Sequence, residues 1–255
     1  MVDAHASAAA SSRPTAGAIV TSLAGVALIG AAGVSAQSTL HLSDAYAATA
    51  VLLFAIVMAI AVSSLGGRHP FSSFGAANVI TTGRMGAVAL VAALIGEGTH
   101  REAAVAAVAL STLISIFDGL DGWIARRSAM ASAFGARFDM EVDALLIAAL
   151  AVLTWQHGKA GPWIIASGLL RYLFVASAWV WPWMARPLPP SLRRKTICVV
   201  QIAALIVVLL PDVQPPASSM AAAFSLAALT WSFGVDVRFL SRSDRSGRSN
   251  RSARS

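Results

Sequence analysis

Four aspartates, Asp118, Asp121, Asp139 and Asp143, carry the spacing expected of metal ligands. The chain holds only 12 acidic residues, and these four together with Glu141 all fall between positions 118 and 143. The flanks on both sides are strongly apolar. A carboxylate near membrane hydrocarbon costs about 2.5–3.5 kcal/mol on insertion scales, so four of them call for an offsetting positive charge. A bound divalent cation is the simplest candidate. On a helix turning about 100° per residue, Asp118, Asp121, Gly122 and Ala125 fall on one face. Asp139 and Asp143 are spaced i, i+4 and share a face as well. Two helices would then each present two carboxylates, with Gly135 in the turn between them. Hard oxygen ligands arranged this way suit Mg²⁺ or Mn²⁺ rather than zinc. Gly122 and Ala125 leave the same face without bulk, so a flat group could lie against the backbone. The competing reading is a solvated acidic loop, which would have no use for small residues at the matching phase.

The elements that position these acids follow from composition. The 255 residues are 57% hydrophobic and only 12% charged, with a mean hydropathy of +0.71. Apolar runs recur throughout, the mark of an all-α, polytopic integral membrane protein. The first run covers about 16–36, and Val34-Ser35-Ala36 at its end resembles a signal-peptide cleavage site. Against cleavage stand the length of the run and a leader with Arg13 as its one strong positive charge. Gly25, Gly30 and Gly33 give this run a small face suited to close helix contact. Further runs lie at about 45–65, 78–95, 102–117 (continuing into the first acid pair), 137–156, 161–181, 196–210 and 217–235. Residues 1–15 are small and polar and read as a disordered leader. The tail, 241–255, is an Arg/Ser stretch that reads as a disordered anchor near anionic lipid. It has no aromatic side chain to stack on a base, so nucleic acid is not the expected partner. Cys198 is the single cysteine and excludes an internal disulfide.

Loop charge orients the bundle. With the N-terminus inside, 15 of the 19 basic residues fall in cytoplasmic segments, while the outer loops hold only Arg101 and Lys159. Arg84 and Arg171 lie within helices. Rise per residue puts Asp118 about 24 Å past Glu102 on a helix entering from outside, and Asp143 about 9 Å past Arg137 from the inner side. Both distances place the acids near the inner edge of the hydrocarbon, where a lipid headgroup and a water-soluble reactant can meet.

The stretch resembles the signature of the CDP-alcohol phosphotransferases, D-x2-D-G-x2-A-R-x8-G-x3-D-x3-D. Every fixed position is met, by Asp118, Asp121, Gly122, Ala125, Arg126, Gly135, Asp139 and Asp143. Upstream, residues 78–84 look like the family's N-x-I-T-x-x-R opening, with Asn78, Thr81 and Arg84 spaced to share a face. The resemblance covers about 75–240, a six-helix core, and leaves two extra N-terminal transmembrane helices within 16–70. It implies transfer of a phosphoalcohol group from a CDP-alcohol to an acceptor hydroxyl, with CMP leaving. It implies a two-metal Mg²⁺ or Mn²⁺ site on Asp118, Asp121 and Asp139, with Asp143 beside them as general base. It also implies a cytidine pocket lined by Gly122, Ala125 and Gly135, with Arg126 facing phosphate and Asn78 and Thr81 directed towards the nucleotide. Arg84, Arg171, Arg194 and Lys195 are candidates for phosphate or for an anionic acceptor; simple positive-inside topology would equally explain the triplet 193–195. The expected setting is the bacterial inner membrane, with CDP-diacylglycerol as donor, glycerol 3-phosphate as first choice of acceptor, and a homodimer as the assembly. A Mg²⁺-dependent prenyltransferase would share Asp139-x3-Asp143 but leave the Gly122, Ala125, Arg126 and Gly135 pattern unexplained. A transporter would spread its buried acids over repeated halves.

Overall fold

A computed structural model describes residues 2–65, 73–127 and 132–252, with side chains described over 15–65, 73–119 and 132–243. Among the described residues there are eight α-helices and no strand: α1 (Val2–Leu40), α2 (Tyr46–Ser63), α3 (Ala76–Ala93), α4 (Arg101–Arg127), α5 (Ala133–Gln156), α6 (Ala166–Val180), α7 (Leu192–Leu209) and α8 (Ala217–Ser252). Single 3₁₀ turns at Pro162–Ile165 and Pro182–Ala185 flank α6. Each opens on a proline, which presets φ and has no N–H to leave unsatisfied. Among the described residues six segments are long and apolar enough to cross a membrane: Thr15–Leu40, Tyr46–Ser63, Ala76–Ala93, Arg101–Gly119, Pro162–Val180 and Ala217–Ser243. The chain is an all-α, multi-pass membrane protein. α5 and α7 fall outside that set because each opens on charge: Arg137, Asp139, Glu141 and Asp143 in one, Arg193, Arg194 and Lys195 in the other.

Two features depart from the sequence expectation. Helical backbone continues into both terminal stretches expected to lack structure, from Val2 at one end and to Ser252 at the other. Gly135 lies inside the first turn of α5, not between two helices. Ser132 explains the earlier start. Its Oγ accepts from Gly135 N at 3.0 Å and its carbonyl accepts from Ala136 N at 3.0 Å, the bonding of a serine N-cap.

The chain forms two compact units, residues 1–149 and 150–255. In the first, α1 packs on α2 and α3, α2 on α3, and α3 on α4. The glycines of α1 make those contacts close. A Cβ at Gly25 would lie 2.6 Å from Phe54 Cζ, and one at Gly33 would lie 2.9 Å from the backbone Cα of Ala47. Phe54 is thereby fully buried. Gly86 of α3 does the same for Ile29 of α1, whose Cδ1 would be 2.7 Å from an added Cβ. At one end of this unit Ser43 N and Oγ both donate to the Glu97 carboxylate at 2.6 Å, and Tyr46 OH donates to Leu90 O at 2.9 Å. The segments near 43 and 97 thus share an end. Because helices alternate in direction, the opposite end gathers the start of α3, the last turns of α4 and the start of α5.

In the second unit α8 packs against α7 and α6. Phe174 and Phe233 meet with ring centroids 5.6 Å apart. Buried Lys159 spends its three ammonium donors on the carbonyls of Leu210, Pro211 and Val213 at 3.2, 3.2 and 2.7 Å. Ser218 and Ser219 in turn donate to Lys159 O at 2.7 and 3.0 Å. This lysine ties the far end of α7 to the start of α8.

Candidate active site

The first unit places Asp118 of α4 beside Asp139 and Asp143 of α5. One carboxylate oxygen from each lies within 4.8 Å of the others. The three come together because each sits at a similar depth from the same end. Asp139 is about 9 Å and Asp143 about 15 Å into α5, and Asp118 about 13 Å before the end of α4. Arg84, about 12 Å into α3, arrives at that same level. Its Nη1 pairs with Asp118 Oδ1 at 2.8 Å and with Asp139 Oδ1 at 2.5 Å, and its Nη2 with Asp143 Oδ1 at 2.7 Å. The arginine side chain is 2% exposed, against 34% for Asp118, 39% for Asp139 and 20% for Asp143. The guanidinium therefore underlies a more open layer of carboxylates.

α3 supplies the neighbouring polar face. Asn78, Thr81, Thr82 and Arg84 are all buried. Asn78 Nδ2 donates to Phe74 O at 2.5 Å, and Thr81 Oγ1 donates to Ala77 O at 3.0 Å. A Cβ at Gly135 would sit 2.8 Å from Asn78 Oδ1, so the glycine of the signature leaves room for the Asn78 side chain of α3 against the first turn of α5. Phe134 and Phe138 stack at 5.9 Å between centroids, and Phe74 meets Phe134 at 6.2 Å, which walls this end with aromatic rings.

Carboxylate oxygens in such a group are hard donors and fit Mg²⁺ or Mn²⁺, which take carboxylate oxygen at about 2.0–2.1 Å in the case of Mg²⁺. α4 carries Asp121, Gly122, Ala125 and Arg126 in its final turns, but their side chains lie outside the described residues. Arg84, expected as a phosphate or acceptor ligand, is in direct contact with the acids. No spacing rule could have shown this, since its partners Asp139 and Asp143 are 55 and 59 residues away.

The remaining candidates belong to the second unit. Arg171 is half-buried in α6 and Lys195 is exposed on α7. Arg194 shares Asp236 with Arg193: Asp236 Oδ1 accepts from Arg193 Nη2 at 2.5 Å and from Arg194 Nη1 at 3.2 Å. Arg193 also donates to Ser232 O at 2.6 Å and to Ser232 Oγ, and Arg194 Nη2 donates to Pro189 O. Two of the three basic residues that open α7 thus bind α7 to α8. Asp236, 5% exposed, was missed by the sequence reading; an acid in an apolar run facing a basic triplet was the available signal.

Residues 74–235 match the family model described as CDP-alcohol phosphatidyltransferase. The matched segment holds α3 to α7 and the first part of α8, and it leaves α1 and α2 outside. No solved structure matches the chain.

Proposed function

The chain belongs to the CDP-alcohol phosphatidyltransferase family and is therefore a transferase of substituted phosphate groups; from that premise we propose that it moves a phosphatidyl group from CDP-diacylglycerol to glycerol 3-phosphate and releases CMP. The observation that carries this reading is the convergence of Asp118, Asp139 and Asp143 inside the matched segment. Membership sets aside the prenyltransferase and transporter readings.

Asp118, Asp121 and Asp139 would hold two divalent ions, Mg²⁺ or Mn²⁺, which when bound neutralise charge on the transferring and leaving phosphates. Asp143, the least exposed of the three described acids, takes the proton of the acceptor hydroxyl as its oxygen attacks phosphorus. The P–O bond to the CMP phosphate breaks, and CMP departs with the electron pair. In this reading Gly122, Ala125 and Gly135 would leave room for the cytidine, with Asn78 and Thr81 directed towards the nucleotide, and Arg126 would bind phosphate. Arg171, Arg194 and Lys195 are the basic groups proposed to bind an anionic acceptor; Arg194 also pairs with Asp236. The protein works as a homodimer in the bacterial inner membrane, with the end that bears the acids facing the cytoplasm.

CMP release tests this directly. Purified protein given Mn²⁺, CDP-diacylglycerol and glycerol 3-phosphate is expected to release CMP, and EDTA is expected to stop it. Asp143→Asn should lose about 10²–10⁴-fold in turnover, the usual worth of a general base, with Mn²⁺-dependent CDP binding retained. Unimpaired turnover in Asp143→Asn would remove the base assignment. Failure of the wild-type protein to release CMP with any of glycerol 3-phosphate, inositol phosphate, inositol or serine would remove the donor.

A further inference from the structure

Arg84 touches all three described carboxylates of the cluster at once, and from the buried side. A guanidinium stays protonated at any pH the protein meets, so this charge is a permanent part of the site. Three ionised carboxylates and one guanidinium leave two negative charges, enough to balance one divalent ion. Adding Asp121 still falls short of the four positive charges that two such ions bring. A nucleotide diphosphate supplies the missing negative charge.

We propose that Arg84 is a fixed counter-cation of the metal cluster, whose charge makes divalent-ion binding depend on the diphosphate arriving with it. This rests on the reading of the cluster as a metal site given above. A buried positive charge against the ligand oxygens opposes a second positive charge beside it, because Coulomb repulsion is weakly screened there. The same charge attracts a diphosphate. Ion and nucleotide then load together, each raising the affinity for the other by the same factor.

The test is a Mn²⁺ titration of the full-length protein in detergent, followed by the electron paramagnetic resonance signal of free Mn²⁺, with and without CDP. In the wild type CDP is expected to tighten Mn²⁺ binding by about tenfold or more, a typical coupling between sites. In Arg84→Met, Mn²⁺ alone should bind about tenfold or more tighter than in the wild type, and the tightening by CDP should fall to about threefold or less. Arg84→Lys keeps the charge and should keep the coupling. Arg84→Met leaves the acids without their partner, so Mn²⁺ should also raise its melting temperature by more than it raises that of the wild type. Mn²⁺ affinity in Arg84→Met equal to or weaker than in the wild type would overturn the counter-cation role and leave the metal site standing. A wild type whose Mn²⁺ affinity ignores CDP would overturn it without recourse to any variant. Mn²⁺ binding that survives unchanged in Asp139→Asn would instead remove the metal-site reading itself.

Discussion

Gly135 and Asn78 show how a single missing side chain shapes the site. A methyl group at Gly135 would meet Asn78 Oδ1 at 2.8 Å and Ser132 Oγ at 3.3 Å. Asn78 is buried and tied to Phe74 O, so it has little room to yield. Alanine would otherwise favour a helix over glycine by about 0.8–1.0 kcal/mol. Overpacking against a held neighbour costs about 1–3 kcal/mol, so the clash should win. Gly135→Ala is expected to lower the melting temperature in detergent and raise the KM for the CDP-alcohol. Gly83→Ala on α3, where a Cβ meets nothing within 4 Å, should be neutral or slightly stabilising. Equal effects at the two positions would contradict the packing argument. The meeting of Asp118, Asp139 and Asp143 was legible in the sequence because the aspartates sit on two neighbouring helices at periods of 3 and 4 residues. The helical place of Gly135 was misread because glycine was weighed as a turn residue while the capping Ser132 three positions earlier was not weighed at all. The pairing of Arg84 with the acids joins residues far apart in sequence, and no local pattern encodes such a contact.

At the scale of elements, all eight helices announced themselves as apolar runs, and besides the outer ends of α1 and α8, ends shifted where charged or capping residues lead into a helix. α5 begins at Ala133 and α7 at Leu192, each ahead of the apolar stretch that marked it. The glycine face of α1 was also legible, and the structure gives it partners in α2. Gly33 approaches backbone, which cannot rotate aside, so Gly33→Val should cost about 1–3 kcal/mol of stability. α1 and α2 lie outside the matched family segment, so Mn²⁺ affinity should be unaffected by that change. Gly86→Val differs. It would push Ile29 of α1 away from α3 two residues from Arg84, and should lower stability and alter Mn²⁺ binding. Thermal unfolding and Mn²⁺ titration of the two variants separate these outcomes; matched losses of Mn²⁺ binding would mean that the N-terminal hairpin shapes the site as a whole. Asp236 was overlooked, since it was weighed neither as a site residue nor as a partner for the basic start of α7.

For the molecule as a whole, six membrane-capable segments and a family match over 74–235 frame one central claim: carboxylates from α4 and α5 hold a divalent ion at one end of the first unit. Composition and hydropathy were enough to read the membrane class. α5 and α7 stand apart from the six membrane-capable segments because α5 carries the charges of the candidate site and α7 those of the α7–α8 tie. The most direct measurement loads Fe²⁺ into the site in place of Mg²⁺ or Mn²⁺ and adds ascorbate and peroxide, so that radicals made at the ion cut the chain beside its ligands. Cleavage mapped by mass spectrometry is expected next to Asp118 and within 139–143, suppressed by excess Mn²⁺ and lost in Asp139→Asn. Cuts confined to other helices, or cuts at these positions that persist in Asp139→Asn, would contradict the claim.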